Sequence, residues 1–506
     1  MTRINSNVNS LIAQRVLGQN NQQLSTSLER LSTGLKINRA ADGPAGLIAS
    51  QNLRAEQSGI SSAISNAERA DQVVNIAEGG LNEVSSLLTE LQGLVTTSAN
   101  TAGLSDEEKE ANQLQIDSIL QTIDRLAEST SFQGEKLLNG TLDFETNNVS
   151  GEVENFQVNG AKLDFEETRD VNVNVTASAQ QAALVLSFGA AGLGLANDDD
   201  TFQVEIAGSK GSRELTFAQS TSVADITDAV NTFTDVTGVS ASVSGANDIR
   251  LDSTELGSDE FVSVTVIDDA GQAGGVNTLN ATDLSATLAS TAFASAGNGV
   301  TDDGQDVEAT INGVSAVGDG ATASINTEFL DISVELSTRA GTANAQNTGS
   351  LKALEISGGG ADFQLAGDVN IAGKESIGIG NVAARELGRT DDDGDTRFLA
   401  DLGSGKALNV VDGDTSKAQE VLKGAIKDVS SLRGRLGAFQ SNTVGATIRS
   451  LGVSLENSTA AESIIRDADF ASETASLTRS QILSQSATQA LQQANNLPQN
   501  ALALLG

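Results

Sequence analysis

Two stretches, one toward each end of this 506-residue chain, place apolar residues at steps that alternate strictly between three and four. The first runs Val74, Ala77, Leu81, Val84, Leu88, Leu91 and Val95; the second runs Ala418, Leu422, Ala425, Val429, Leu432, Leu436 and Phe439. A mean spacing of about 3.5 residues keeps one stripe in line along a slightly under-wound helix, which is the seam of a left-handed coiled coil. A strand cannot present such a stripe, because its side chains change face at every residue. The pattern predicts long, paired helices. The second stripe resumes one residue out of phase at Val444, Ile448, Leu451 and Leu455.

Further helical pattern flanks both seams. Ile4, Val8 and Leu11, then Leu24, Leu28, Leu31 and Leu35, mark one helix face that stops at the turn Ala41-Asp42-Gly43-Pro44. Asn100-Thr-Ala-Gly103 breaks the first seam. Ser105, with Glu108 three residues on, has the form of a capping box, opening a helix through Ile116, Ile119, Ile123 and Leu126. Gln133-Gly134 ends that helical region. A last helix is expected from about Ala460 to Asn495, with Leu477, Leu483, Ala487, Leu491 and Ala494 on one face. Helices at both ends, with none of comparable length between, imply that the termini pack together; two independent coiled coils are the alternative.

From Asn139-Gly140 the pattern changes to short alternating runs such as Phe202-Gln-Val-Glu-Ile206, Val262-Ser-Val-Thr-Val-Ile267, Val307-Glu-Ala-Thr-Ile311 and Ile332-Ser-Val-Glu-Leu336. Alternation with β-branched residues reads as half-buried strands. One helix interrupts them at Val223, Ile226, Val230 and Phe233, and Ser357-Gly-Gly-Gly360 reads as a linker. The fold class expected is α+β and multidomain: a long coiled-coil-like core of paired terminal segments carrying an inserted β-rich outer region. Five parts are expected: a terminal helix over 1–44, helices and hairpin-like strands over 45–178, outer domains over 179–356, returning helical core over 357–459, and a terminal helix over 460–506.

Charge follows the same division. Residues 1–143 carry a net −7, residues 417–506 a net +1, and residues 144–416 a net −31. Acid on that scale repels phosphate backbones and anionic lipid, so neither nucleic acid nor membrane is an expected partner. It suits a well-solvated domain, or one on the surface of a crowded array. No run approaches the length of a membrane span, and Met1-Thr-Arg-Ile-Asn-Ser lacks the apolar region of a secretory signal. Those features suggest a cytoplasmic chain, or one exported without a cleaved leader.

The chain has no Cys, His, Trp or Tyr. That removes thiol nucleophiles, Cys-ligated zinc, His-based triads and His metal motifs. Asp391-Asp-Asp-Gly-Asp395 invites a calcium reading, but an EF-hand loop needs Gly at its sixth position and Glu at its twelfth, where Thr396 and Leu402 stand. Asp391–Asp395 and Asp198-Asp-Asp200 therefore read as solvated turns, and Gly208-Ser-Lys-Gly-Ser212 as a hairpin turn. Chance carboxylate pairs leave a glycosidase open, though nothing marks one. Asn139-Gly-Thr141, Asn148-Val-Ser150 and Asn174-Val-Thr176 fit an N-glycosylation pattern that arises often by chance in such a composition. No cofactor, metal or catalytic residue is expected.

The two ends carry a specific resemblance. Ile4-Asn-Ser-Asn-Val-Asn-Ser-Leu11, Leu31-Ser-Thr-Gly-Leu-Lys-Ile-Asn38 and Ala40-Ala-Asp-Gly-Pro-Ala-Gly46 are similar to the amino terminus of bacterial flagellin. Asp467-Ala-Asp-Phe470, Thr478-Arg-Ser-Gln-Ile-Leu483 and Leu497-Pro-Gln-Asn-Ala-Leu-Ala-Leu-Leu505 resemble its carboxyl terminus. Residues 198–267 more loosely resemble an insert of some flagellins and hook-associated proteins.

The resemblance implies an extracellular filament subunit, exported unfolded through the flagellar type III apparatus and polymerised under a distal cap. Its implied partners are other copies of itself, a flagellin chaperone at the carboxyl-terminal segment, and the cap and hook-associated proteins. It places the polymerisation interface on Ile4, Val8, Leu11, Leu24, Leu28, Leu31, Leu35, Leu477, Ile482, Leu483, Leu491, Leu497, Leu502 and Leu505. It places the core seam on Val74, Leu81, Val84, Leu88, Leu91, Leu422, Val429, Leu432, Leu436 and Phe439. Flagellins sensed by the flagellin-specific Toll-like receptor present an Arg, a Leu and a Glu; the matching positions here are Glu90, Leu94 and Gln115, so the Arg is reversed in charge. A hook–filament junction protein is the nearest rival reading. A flagellin with an enzymatic outer region and one with an adhesin module are further rivals.

Overall fold

A computed structural model describes residues 6–503 apart from 101–102, 165, 190–191, 198, 281–282, 339–345 and 393–394. Ile4, Asp198 and Leu505 lie outside the described residues, as do the side chains of Leu497 and Leu502. The helices are α1 (Val8–Thr33), α2 (Pro44–Ser98), α3 (Asp106–Ser129), the short α4 (Val223–Asn231) and α5 (Thr234–Thr237), then α6 (Thr415–Ala438), α7 (Gly445–Arg466) and α8 (Phe470–Ala503). Contacts divide the chain into two units: Met1–Asn75 with Phe363–Lys374 and Arg435–Gly506, and Ile76–Asp362 with Glu375–Gly434.

In the first unit, Asn7 opens α1 by accepting from the Ser10 N–H. Gly34 closes it in the left-handed conformation, its N–H returning to Arg30 O at 2.9 Å. The expected stop at Ala41 is therefore late. Leu35 lies beyond the helix, paired with Asp467 in an isolated bridge that Lys36 N–H to Arg466 O and Ala468 N–H to Gly34 O complete. Pro44 starts α2 where a missing N–H costs nothing.

The last helix also differs from its expected span. It begins at Phe470, because Asp469 caps a fresh start by accepting from the N–H groups of Ala471 and Ser472. The expected 460 boundary falls inside α7.

The phase slip after Phe439 has a visible cause. Residues Phe439–Val444 form a π-helical turn, with the Gly445 N–H reaching back to Gln440 O. Such a turn adds one residue to the helical path. Val444 is thus buried, with Ile448, Leu451 and Leu455 half-buried along the same line.

In the second unit both seams are buried: Leu81, Val84, Leu88, Leu91 and Leu422 have no exposed surface, and Val429 nearly none. Arg433 holds Glu78 with its guanidinium at 2.7 Å. The capping box of α3 forms as expected, Ser105 and Glu108 exchanging bonds at 2.9 and 3.3 Å. Gln113 on α3 bridges the returning chain, donating to Leu402 O and accepting from the Val410 N–H. α3 ends at Ser129, and Gln133-Gly134 form the turn of a small hairpin beyond it.

The β-rich insert is two antiparallel sandwiches, one nested in the other. The inner-lying one packs a five-stranded sheet, which includes Arg169–Ala177 and Gly349–Gly359, on a four-stranded sheet that includes Val153–Ala161 and Leu330–Leu336. The second, over about 182–303, centres on Ala183–Phe188 and Thr201–Gly208, with Phe188, Phe202 and Phe293 in mutual contact in its core. The junction is a bridge in which the Gln180 N–H donates to Gln305 O at 2.8 Å and the Gln305 N–H donates back at 3.0 Å.

Two expectations change here. The 178/179 boundary separates Arg169–Ala177 from strands it pairs with, Glu308–Ile311 and Gly349–Gly359. Alternation identifies strands but not their partners. Ser357–Gly360 is no linker either: Gly358 and Gly359 pair with Glu145 and Phe144. The glycines are there for close approach, since a Cβ on Gly359 would sit 2.3 Å from Asp143 O, at a positive φ of 82°. By contrast, the strands expected at 202–206, 262–267 and 332–336 lie within Thr201–Gly208, Phe261–Asp268 and Leu330–Leu336, and Ser209-Lys210 is the hairpin tip.

Candidate functional site

The burial of the α1–α8 pair runs opposite to that of an ordinary helical hairpin. The side chains buried between the helices are small or polar: Ser10, Asn20 and Ser27 on α1, and Ser480, Ala487 and Ala494 on α8. Hydrogen bonds between the two helices set an antiparallel register. Asn7 Nδ2 donates to Ala494 O at 2.8 Å, Ser10 Oγ to Asn495 Oδ1 at 2.7 Å, Asn20 Nδ2 to Leu483 O at 3.2 Å, and Ser484 Oγ to Asn21 Oδ1 at 2.8 Å. Arg30 and Glu473 face each other at 3.8 Å at the other end.

The large apolar side chains stand outward. Val8, Leu11 and Leu28 on α1 are at least half exposed, Leu11 at 62%. On α8, Ile482 is 58% and Leu483 43% exposed. Leu24, Leu31, Leu477 and Leu491 are half-buried, as is Leu35 beyond its helix. A shallow groove of about 440 Å³ runs between the helices, floored by Ile12, Ala13, Val16, Ala487, Ala490 and Ala494. Small residues let the two backbones come close while the larger ones face away from the pair.

Ile12 and Val16, which the leucine pattern does not include, belong to this site. A second signal was legible: Ala13, Asn20 and Ser27, like Ser480, Ala487 and Ala494, recur every seven residues. That is a seam written in small residues, easily overlooked beside the leucines.

Charges near the ends of α1 and α7 are held locally. The backbone N–H of Arg39, donated to Asp42, keeps its carboxyl below the ordinary value, with help from the Asn38 N–H and the Arg30 charge. Burial works to raise Glu462, but bonds from Arg54 at 2.6 Å and Gln57 at 3.2 Å, with Arg466 nearby, leave it lowered.

The other expected positions are dispersed. Val74, Leu81, Val84, Leu88, Leu91, Leu422, Val429, Leu432, Leu436 and Phe439 are all buried. Glu90 and Gln115 are exposed on α2 and α3, and Leu94 is half-buried. Asp391 and Asp395 belong to the facing strands of a small hairpin, Thr390–Asp392 and Asp395–Arg397. Among the described residues no group of three or more acids, His or Cys could hold a metal ion, and no helix is long and apolar enough to cross a membrane.

Both ends of the chain match known families. Residues 4–143 match the bacterial flagellin N-terminal helical region, and residues 420–505 match the bacterial flagellin C-terminal helical region. The chain belongs to the bacterial flagellin family. Residues 201–255, from the strand Thr201–Gly208 through α4 to Asp248–Ser253, match the flagellin hook IN motif. Among curated relatives, flagellin B of Vibrio anguillarum is 29% identical over 509 residues, covering 99% of each chain. The flagellin of Salmonella typhimurium is 28% identical over 538 residues, again covering 99% of each.

This flagellin is a structural subunit of the extracellular flagellar filament that drives swimming. The hook–filament junction reading is not favoured, since the full-length relatives are themselves flagellins.

Proposed function

We propose that this flagellin polymerises through the outward faces of α1 and α8, with Val8, Leu11, Ile12, Leu28, Ile482 and Leu483 buried by neighbouring copies. The observation that supports this is the inverted burial of the pair, apolar outside and small inside. Burying a Leu or Ile side chain is worth about 1.5–3 kcal/mol, so a stripe of them supplies association energy that one subunit alone leaves unused. The same exposure gives a chaperone at the carboxyl-terminal segment something to shield before assembly. Export through the type III apparatus, and growth beneath a cap and beyond hook-associated proteins, complete the reading. The outer sandwiches take no catalytic part in it.

The test is a double variant, Leu11→Ser with Ile482→Ser. Its monomer should unfold as the parent does, because both side chains are exposed. The critical concentration for polymerisation should rise about a hundredfold or more. Assembly at the parental concentration would refute the interface.

Innate recognition is a second proposal. At the receptor-contact positions Glu90 replaces the family's Arg, exchanging a planar five-donor fork for a negative charge. Weak receptor activation by the monomer is expected, partly restored by Glu90→Arg. A reporter-cell assay in which the unaltered monomer is as potent as Arg-bearing flagellins would overturn this.

A further inference from the structure

The first unit carries a spur that assembly through α1 and α8 does not use. Residues Phe363–Lys374 leave the sandwich and lie on α2. Gly59 and Gly367 meet backbone to backbone: a Cβ on Gly59 would lie 2.9 Å from Gly367 O, and one on Gly367 3.1 Å from Gly59 C. Asn66 Nδ2 donates to Gln364 O at 3.2 Å, and Leu365 is buried. Phe363 at the base packs on Phe439, with ring centroids 5.8 Å apart, at the start of the π-helical turn.

The tip is braced as well. Gln364 Nε2 donates to Ala366 O and Asp368 O, Asn370 Oδ1 accepts from the Gly373 N–H at 2.7 Å, and the Leu365 N–H donates to Gly373 O at 2.8 Å. On this pinned loop Val369 stands 90% exposed, more than any other large apolar side chain among the described residues. Isolated exposed apolar residues are ordinary on a surface. A rigidly braced one is different, because its ordering entropy is already spent before any partner arrives.

We propose that Val369 is a preformed knob that seats in a neighbouring copy of this flagellin when the filament forms. The occupant is argued from what the chain builds. An open helical polymer is made from heterologous contacts, in which a projection on one surface meets a different surface of the next copy. The spur also belongs to the same unit as the outward apolar faces of α1 and α8. The proposal rests on the filament role and adds a contact outside the terminal helices.

The absence of Cys makes the test clean. Val369→Cys, labelled with a benzophenone maleimide and illuminated in full-length filaments, should give covalent flagellin dimers that dilute monomer does not. Val369→Asp should keep the parental thermal unfolding while raising the critical concentration about tenfold. Filaments of the labelled variant that yield no flagellin dimers, or adducts only to another protein, would overturn the proposal. So would normal assembly of Val369→Asp. Those outcomes leave the Leu11 and Ile482 test untouched, so failure of the knob and failure of the terminal interface are distinguishable.

Discussion

The α1–α8 pair and the sandwich around Phe202 handle apolar surface in opposite ways. The sandwich encloses it: Phe202, Val262, Val264 and Ile249 are buried between two sheets, and alternate residues meet water. The helix pair encloses Ser10, Asn20, Ala487 and Ala494 and leaves Leu11 and Ile482 outside. One buries its large apolar side chains within the single chain; the other leaves them exposed. Charge agrees with this division, since the acidic excess lies in 144–416 and is nearly absent from 417–506. Like charge suits a well-solvated domain, and a near-neutral segment suits helices that pack against others.

The largest effect should come from removing the unfinished region. Deleting residues 1–40 or 466–506 is expected to abolish polymerisation, scored by sedimentation and electron microscopy, because either deletion removes one helix of the pair. Normal filaments from either truncation would erase the contrast drawn above.

Excising a finished region should do far less. Joining Gln180 to Gln305 through a short Gly linker removes one sandwich at a place where the chain already closes on itself. Filaments should persist, with one calorimetric transition lost. Replacing all of 180–356 is a harsher cut, because Val153–Ala161 and Arg169–Ala177 lose their partners. That variant should aggregate; soluble filaments from it would show that those strands do not need the sandwich.

A pair of single substitutions sharpens the comparison further. Leu88→Ala, in the buried seam, should destabilise the monomer by about 2–5 kcal/mol in denaturant unfolding. Leu11→Ala should change it by less than about 0.5 kcal/mol while weakening assembly. Equal losses from both would mean that Leu11 is part of a monomer core.

The smallest expected effect tests electrostatics in the outer sandwich. Burial pushes the Asp302 carboxyl above the usual aspartate value; the Ala183 N–H at 2.8 Å draws it down, and the Asp303 charge raises it again. The folded state therefore holds this proton more tightly than the unfolded chain. Its contribution to stability is present at acid pH, below the unfolded value, and is lost as pH rises through the folded one. Asp302→Asn keeps an acceptor for the Ala183 N–H without the charge. It should raise the outer melting transition at pH 7 by on the order of 2 °C, the gain shrinking as the pH is lowered toward 3. A gain that persists or grows in acid would contradict the sign.

Legibility followed the range of the forces involved. The capping box at Ser105, the hairpin tip at Ser209-Lys210 and the turn helix at Val223 are set within a few residues, and each was readable. The phase slip after Phe439 was visible as a number, but its cause, a turn bonded from Gly445 to Gln440, was not. The stop at Gly34 was missed because apolar spacing continues across it from Leu31 to Leu35, and the stop at Asp467 because the caps that end one helix and start the next are single residues.

Periodicity told which face of each element is apolar, and the matching patterns at the two ends told that this is a chain built to bundle. Those are local properties, written at intervals of two, three and a half, or seven residues. Which surfaces meet is another matter. Gln180 joins Gln305, Arg169–Ala177 joins Gly349–Gly359, and Ser10 joins Asn495 across nearly the whole chain. No short window holds both partners of such a pair. Their choice depends on the fit and hydrogen bonding of complete surfaces, and it left Leu11, Ile482 and Val369 facing outward.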